Sequence, residues 1–114
     1  MTNSTKKSVP RHTGVPSFFG YACLEANRGG NSSYRSAAWH LAIHLWDKAP
    51  DDTETDEWEG YIDKLQALCE ETDHEEIWLW FKRHYPKCME LVPSRHKREF
   101  VAGVMDAYEQ DRMG

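Results

Sequence analysis

No stretch of the 114-residue chain approaches the roughly 20 consecutive apolar residues that a membrane-spanning helix requires, so no membrane partner is expected. The first residues, Met1 to Arg11, are polar and contain no apolar run of the kind a secretory signal carries, and a cytoplasmic location is the expectation that follows. Cysteine is scarce and unpaired. Cys23, Cys69 and Cys88 are odd in number, widely separated and form no C-x-x-C pair, which argues against a disulfide framework and predicts reduced thiols in a core. The nucleophile elbow G-x-S-x-G, the phosphate-binding G-x-x-x-x-G-K loop and the dinucleotide-binding G-x-G-x-x-G are all missing. No segment alternates with period two for long enough to form a strand, and no internal repeat is visible. No motif therefore points to a reaction or to a cofactor.

Aromatic residues are plentiful instead. Five Trp, five Tyr and four Phe, each able to bury roughly 150–250 Å², compensate for a low mean hydropathy. The length suits one domain with one core. Residues 1–16 combine Lys6, Lys7 and Arg11 with Pro10, Gly14 and Pro16 and show no periodicity, so they read as a flexible basic arm; residues 17–114 read as a single helical domain.

Within that domain the periodicity predicts an all-α, compact bundle of about five helices. Ser17 is expected to cap a helix over Phe18 to Arg28, with Phe18, Phe19, Ala22 and Cys23 on one buried stripe and Gly29-Gly30 ending it. Ser32 or Ser33 starts a second, over Tyr34 to Lys48, which Pro50 and Asp51-Asp52 break. A third runs from Glu54 to Glu71, its Trp58, Tyr61, Ile62, Leu65, Leu68 and Cys69 falling within about 120° of arc. Asp73 and Glu76 have the spacing of a capping box for a fourth helix, His74 to Tyr85, stopped by Pro86. One further turn is expected within Lys87 to Val92, and Ser94 caps a last helix over Arg95 to Asp111.

Charge is segregated along the chain. Asp47 to Glu76 holds thirteen acids against two lysines, a net of −11, whereas Lys82 to Arg98 holds six bases against one acid, a net of +5. Arg95, His96, Lys97 and Arg98 would occupy the first turn of the last helix, where the macrodipole disfavours cations by some tenths of a kcal/mol each. Something is expected to offset that choice: the acidic segment of this molecule or a neighbour, or a phosphate backbone. The overall net charge of −5 weighs against general affinity for nucleic acid.

The run Ile77-Trp78-Leu79-Trp80-Phe81 points around a whole helix, so either this helix is surrounded or one large residue, Trp80 or Leu79, stays outside as an anchor. Two metal-ligand patterns also occur. His40, His44 and Asp47 at i, i+4, i+7 share one polar helix face, and Cys69, His74, His84 and Cys88 faintly resemble small CHHC zinc fingers, with a shorter first gap. For both patterns the ordinary reading, solvated histidines and a buried thiol, is favoured over a metal.

The function these features favour is a helical protein-interaction module, possibly self-associating. It would work through Trp78, Trp80, Lys82, Arg83, Lys87, Arg95, His96, Lys97 and Arg98. One alternative is a small nucleic-acid-binding subunit that contacts phosphates through Lys82 to Arg98 and the arm. A second is a metal-binding domain or enzyme built on His40, His44 and Asp47.

Overall fold

The computed structural model describes residues 15–47 and 54–113. The expected basic arm up to residue 14 and the expected break at residues 48–53 lie outside the described residues. Within them the chain forms six α-helices and no strand: α1 Ser17–Asn27, α2 Tyr34–Asp47, α3 Thr55–Glu70, α4 His74–His84, the one-turn α5 Pro86–Met89 and α6 Lys97–Met113. A 3-10 turn, Ser94–His96, leads into α6. This is the all-α bundle that the periodicity predicts. Among the described residues no helix is long and apolar enough to cross a membrane.

Local chemistry sets most boundaries. Pro16, not Ser17, occupies the cap position of α1, and its carbonyl accepts from the N–H groups of Phe19 and Gly20, both at 3.0 Å. At the other end Gly29 takes φ +75°, and the amides of Gly29 and Gly30 reach back to the carbonyls of Ala26 (3.3 Å) and Glu25 (2.7 Å), a Schellman closure. Ser33 caps α2, its Oγ accepting from the Ser36 amide at 3.0 Å. Asp73 caps α4 by accepting from the Glu76 amide at 3.2 Å. Tyr85 then leaves helical geometry before Pro86, which begins α5 at a position where its missing N–H costs nothing.

The end of α3 shows a conflict. It closes with the same Schellman pattern, through the Thr72 amide to the Cys69 carbonyl and the Asp73 amide to the Leu68 carbonyl, both at 3.0 Å. The left-handed position is here held by Thr72 at φ +53°, where a β-branched residue is strained by about 1–2 kcal/mol. Thr72→Gly is expected to raise stability by about 0.5–1 kcal/mol, the relief of strain exceeding the added unfolded-chain entropy. Urea titration followed by circular dichroism checks this, and an unchanged or lower midpoint would remove the strain argument.

The buried residues form one continuous cluster. The α2–α6 contact is its principal interface; α1 lies against α2, and α3 and α4 pack on each other and on α6. Phe100 of α6 is a hub, with ring edges from Phe19, Trp78 and Phe81 at 6.5, 5.8 and 5.2 Å. Trp58 ties α3 to the end of α2 by donating Nε1–H to the Leu45 carbonyl at 3.2 Å.

Candidate functional site

The first helix has one anchoring stripe. Phe19 and Cys23, one turn apart, are buried, and Phe19 reaches the core through Phe100. Among the described residues its other side is uncovered: Phe18, Tyr21 and Leu24 are 38, 66 and 49% exposed, and Val15, just before the helix, is 37% exposed. Phe18, expected to share the buried stripe, belongs instead to this outer side. Steps of three residues turn back by about 60° each, so Phe18, Tyr21 and Leu24 spread over about 120° of the side away from Phe19 and Cys23. The only charged residue of α1, Glu25, is half-buried and ion-paired with Arg28 at 3.3 Å. An uncharged apolar face in a chain that is 29% charged is the compositional mark of a contact surface rather than of a solvated one.

Beside these residues a groove of about 730 Å³ runs between α1 and α2. Its apolar part is made by Phe18, Tyr21, Ala22 and Ile43, and His40 and His44 stand on its α2 side. The His44 ring rests against Phe18 at 5.4 Å, and the His40 ring meets the edge of Trp39 at 5.0 Å. The two histidines are exposed on one face of α2, as expected; the Asp47 side chain lies outside the described residues. Among the described residues no three His, Cys, Asp or Glu side chains come together as a metal requires, so the Cys69, His74, His84 and Cys88 quartet is not assembled.

A second hollow, about 340 Å³, lies between α3 and α4. Tyr61, Trp80, His84 and Leu68 wall it, and Lys64, Glu76 and Arg83 stand around them. His84 is buried there among rings, 4.4 Å from Trp80 and 4.7 Å from Tyr61. Burial raises the Tyr61 hydroxyl pKa, with a smaller contribution from the Glu57 carboxylate that accepts its hydrogen bond at 3.4 Å.

The aromatic anchor expected on α4 is not displayed. Trp78 and Trp80 are both buried, so neither offers a surface for a partner; Leu79, at 38%, is the exposed member of the run. The reason is that α4 sits between two neighbours. Trp78 faces α6 through Phe100, and Trp80 faces α3, 6.0 Å from Trp58, with its Nε1–H donated to the Tyr61 carbonyl at 3.1 Å.

The basic stretch is partly neutralised from within. Arg95 and His96 belong to the 3-10 turn rather than to the first turn of α6, which corrects the expected helix start. Lys97 reaches across to Glu75 in the first turn of α4 at 2.6 Å, and His96 contacts Glu99 at 2.9 Å and the Tyr34 ring at 4.5 Å. Lys87 lies 4.0 Å from Glu90, and Lys82 sits over the Trp78 ring at 5.6 Å. Arg83, Arg95 and Arg98 are exposed and have no ion-pair partner among the described residues.

The thiols are unsuited to nucleophilic work as they stand. Desolvation pushes Cys23 up to about 11 and Cys69 and Cys88 up to about 12, the reverse of what an activated cysteine needs.

Sequence reading missed the outer side of α1, because apolar residues surround most of that helix and only one of its eleven residues is charged, so no polar face marks which side is outside. No protein-family model matches the chain, and no curated protein or solved structure is significantly similar to it.

Proposed function

We propose that the chain is a helical protein-interaction module whose contact surface is the outer face of α1 with the groove beside it, rather than the aromatic helix α4. The observation that carries this reading is the exposed set Val15, Phe18, Tyr21 and Leu24, free of charge and bordered by a groove large enough to seat side chains of a partner. Tyr and Phe at such a surface supply large contact area at low entropic cost. A charge placed there should abolish binding and leave the fold intact. Tyr21→Glu is expected to change stability by no more than about 0.5 kcal/mol, because the side chain is mostly solvated already. Quantitative affinity capture with wild-type, Tyr21→Glu and Arg98→Ala baits tests the reading. Proteins enriched by the wild type and by Arg98→Ala should be lost on Tyr21→Glu, and identical sets on wild type and Tyr21→Glu would overturn it.

A second reading, binding to a nucleic-acid backbone, is favoured by one observation: Arg83, Arg95 and Arg98 stay exposed without an ion-pair partner among the described residues while the lysines and His96 around them find contacts. It expects an affinity for mixed-sequence RNA or DNA that falls steeply with salt, and a slope reduced by about one for each of Arg95→Ala and Arg98→Ala. Fluorescence anisotropy at low salt decides it, and no binding there would remove it.

A further inference from the structure

We infer that the groove between α1 and α2 binds a small primary amine with an apolar tail, its ammonium held at Glu25. Such a ligand would occupy the groove whether or not a protein covers the outer side of α1. The groove is graded along its length. From α1 it is lined by Phe18, Tyr21, Ala22 and Glu25, at i, i+3, i+4 and i+7, so all four share one side of that helix. Ser36, His40, Ile43 and His44 supply the facing stripe of α2 at similar spacing. The two helices are joined by residues 28–33 and run antiparallel, since Phe18 near the start of α1 meets His44 near the end of α2 at 5.4 Å. Glu25 therefore lies at the loop end with Ser36, and Asn31 and Ser32 belong to the loop beside them. Phe18 and Ile43 lie at the other end. Seven residues separate Phe18 from Glu25, about 10 Å along the helix axis, so a one-ring amine reaches from one end to the other.

Charge selects the head group. Glu25 is the one Asp, Glu, Lys or Arg side chain in the lining. That side chain is only 14% exposed, so its carboxylate is drawn well out of water, and its compensation within the chain is slight. Oε2 meets the Arg28 guanidinium at 3.3 Å, a long contact to a side chain that is itself 60% exposed. Oε1 accepts no hydrogen bond among the described residues, and it lies against Gly30, where any side chain would collide with it. A carboxylate so placed can accept from an ammonium, whose remaining N–H groups have the hydroxyls of Ser32 and Ser36 and the Asn31 amide oxygen at the same end. An anion would be repelled by Glu25 and by the overall net charge of −5, which favours the approach of cations. The tail follows from the opposite end, where Phe18, Tyr21 and Ile43 offer apolar surface to an alkyl chain or a single ring.

Titration of the full chain with phenethylamine, followed by two-dimensional proton–nitrogen NMR, tests the assignment. Backbone amides bordering the groove, those of Ser32 and Ser36 among them, should shift saturably. Phenethyl alcohol, the same shape without the charge, should bind at least about 5-fold more weakly, and hydrocinnamate, of opposite charge, should not bind. Glu25→Gln should weaken the amine by at least about 5-fold and leave the alcohol unchanged. Gly30→Ala keeps the carboxylate but displaces it, and should weaken the amine as well. Equal binding of amine and alcohol by the wild type, a comparison that needs no variant, would overturn the assignment. So would a Glu25→Gln protein that binds the amine as the wild type does. Shifts as large along the acidic helix α3 as in the groove would mark diffuse counter-ion binding and overturn it too. The absence of any saturable shift at tens of millimolar amine would do the same.

Discussion

Gly103→Ala is expected to cost about 2 kcal/mol and to lower the melting temperature by roughly 10 °C. At this point α6 crosses α2 so closely that a Cβ on residue 103 would collide with the Arg35 carbonyl oxygen and stand 2.9 Å from the Ala38 Cβ. Neither obstacle is the far end of a flexible side chain. One is helix backbone and the other a methyl fixed to it, so relief requires the two helices to move apart. That movement would loosen the principal interface of the fold, lined by Ala37, Ala38, Ala42 and Ala107, all fully buried. Overpacking of this kind costs about 3 kcal/mol, and the better helix propensity of alanine returns about 1 kcal/mol. Gly60→Ala provides the opposite case. Gly60 lies in α3 with nothing within 4 Å of its added Cβ, so only the propensity gain applies and stability should rise by up to about 1 kcal/mol. Thermal and urea denaturation of the two variants would show opposite shifts. A Gly103→Ala protein that gains stability as Gly60→Ala does would mean that α2 and α6 are not in close contact there.

Local signals were legible in the chain, and partner-dependent ones were not. The Gly29-Gly30 stop, the Ser33 and Asp73 caps and the Pro86 break act on their own backbone, so residue type alone located them. The amphipathic arc of α3 was equally visible, because its Trp58, Leu65, Leu68 and Cys69 are buried as the periodicity requires. Gly103 carries no such signal: its importance comes from Arg35 and Ala38, nearly seventy positions away in the chain. The basic start of α6 could be flagged as unfavourable, but its offset by Glu75 depends on how α4 and α6 are placed. The α1 face failed for a different reason. Apolar residues fill most of the circumference of that helix, so its pattern alone does not say which row is covered, and the choice of Phe18 for the core was wrong for lack of a neighbour. The same ambiguity affected α4, where only the positions of α3 and α6 decide which residue is left out.

Trp80→Ala resolves that ambiguity by experiment, with an expected loss of about 3–5 kcal/mol in unfolding free energy. Around α4, at 100° per residue, Trp80, Ile77, Phe81 and Trp78 span about 160° and Leu79 points to the opposite side. The two tryptophans mark the limits of the buried arc, Trp80 against α3 and Trp78 against α6. Trp80 is 3% exposed, contacts the rings of Trp58, Phe81 and His84, and donates to the Tyr61 carbonyl. Truncation removes these contacts and leaves a cavity that α3 and α4 can close only by shifting. Against a typical total of about 5–15 kcal/mol, the loss brings a domain of this size near its threshold. Leu79→Ala, on the solvated side, should cost less than about 1 kcal/mol. A surface anchor would reverse this order: Trp80→Ala would leave the urea midpoint unchanged and show its effect only in binding. Midpoints of the two variants, measured side by side, therefore separate a tryptophan that holds helices together from one that holds a partner. The packing of α4 between α3 and α6 requires the first.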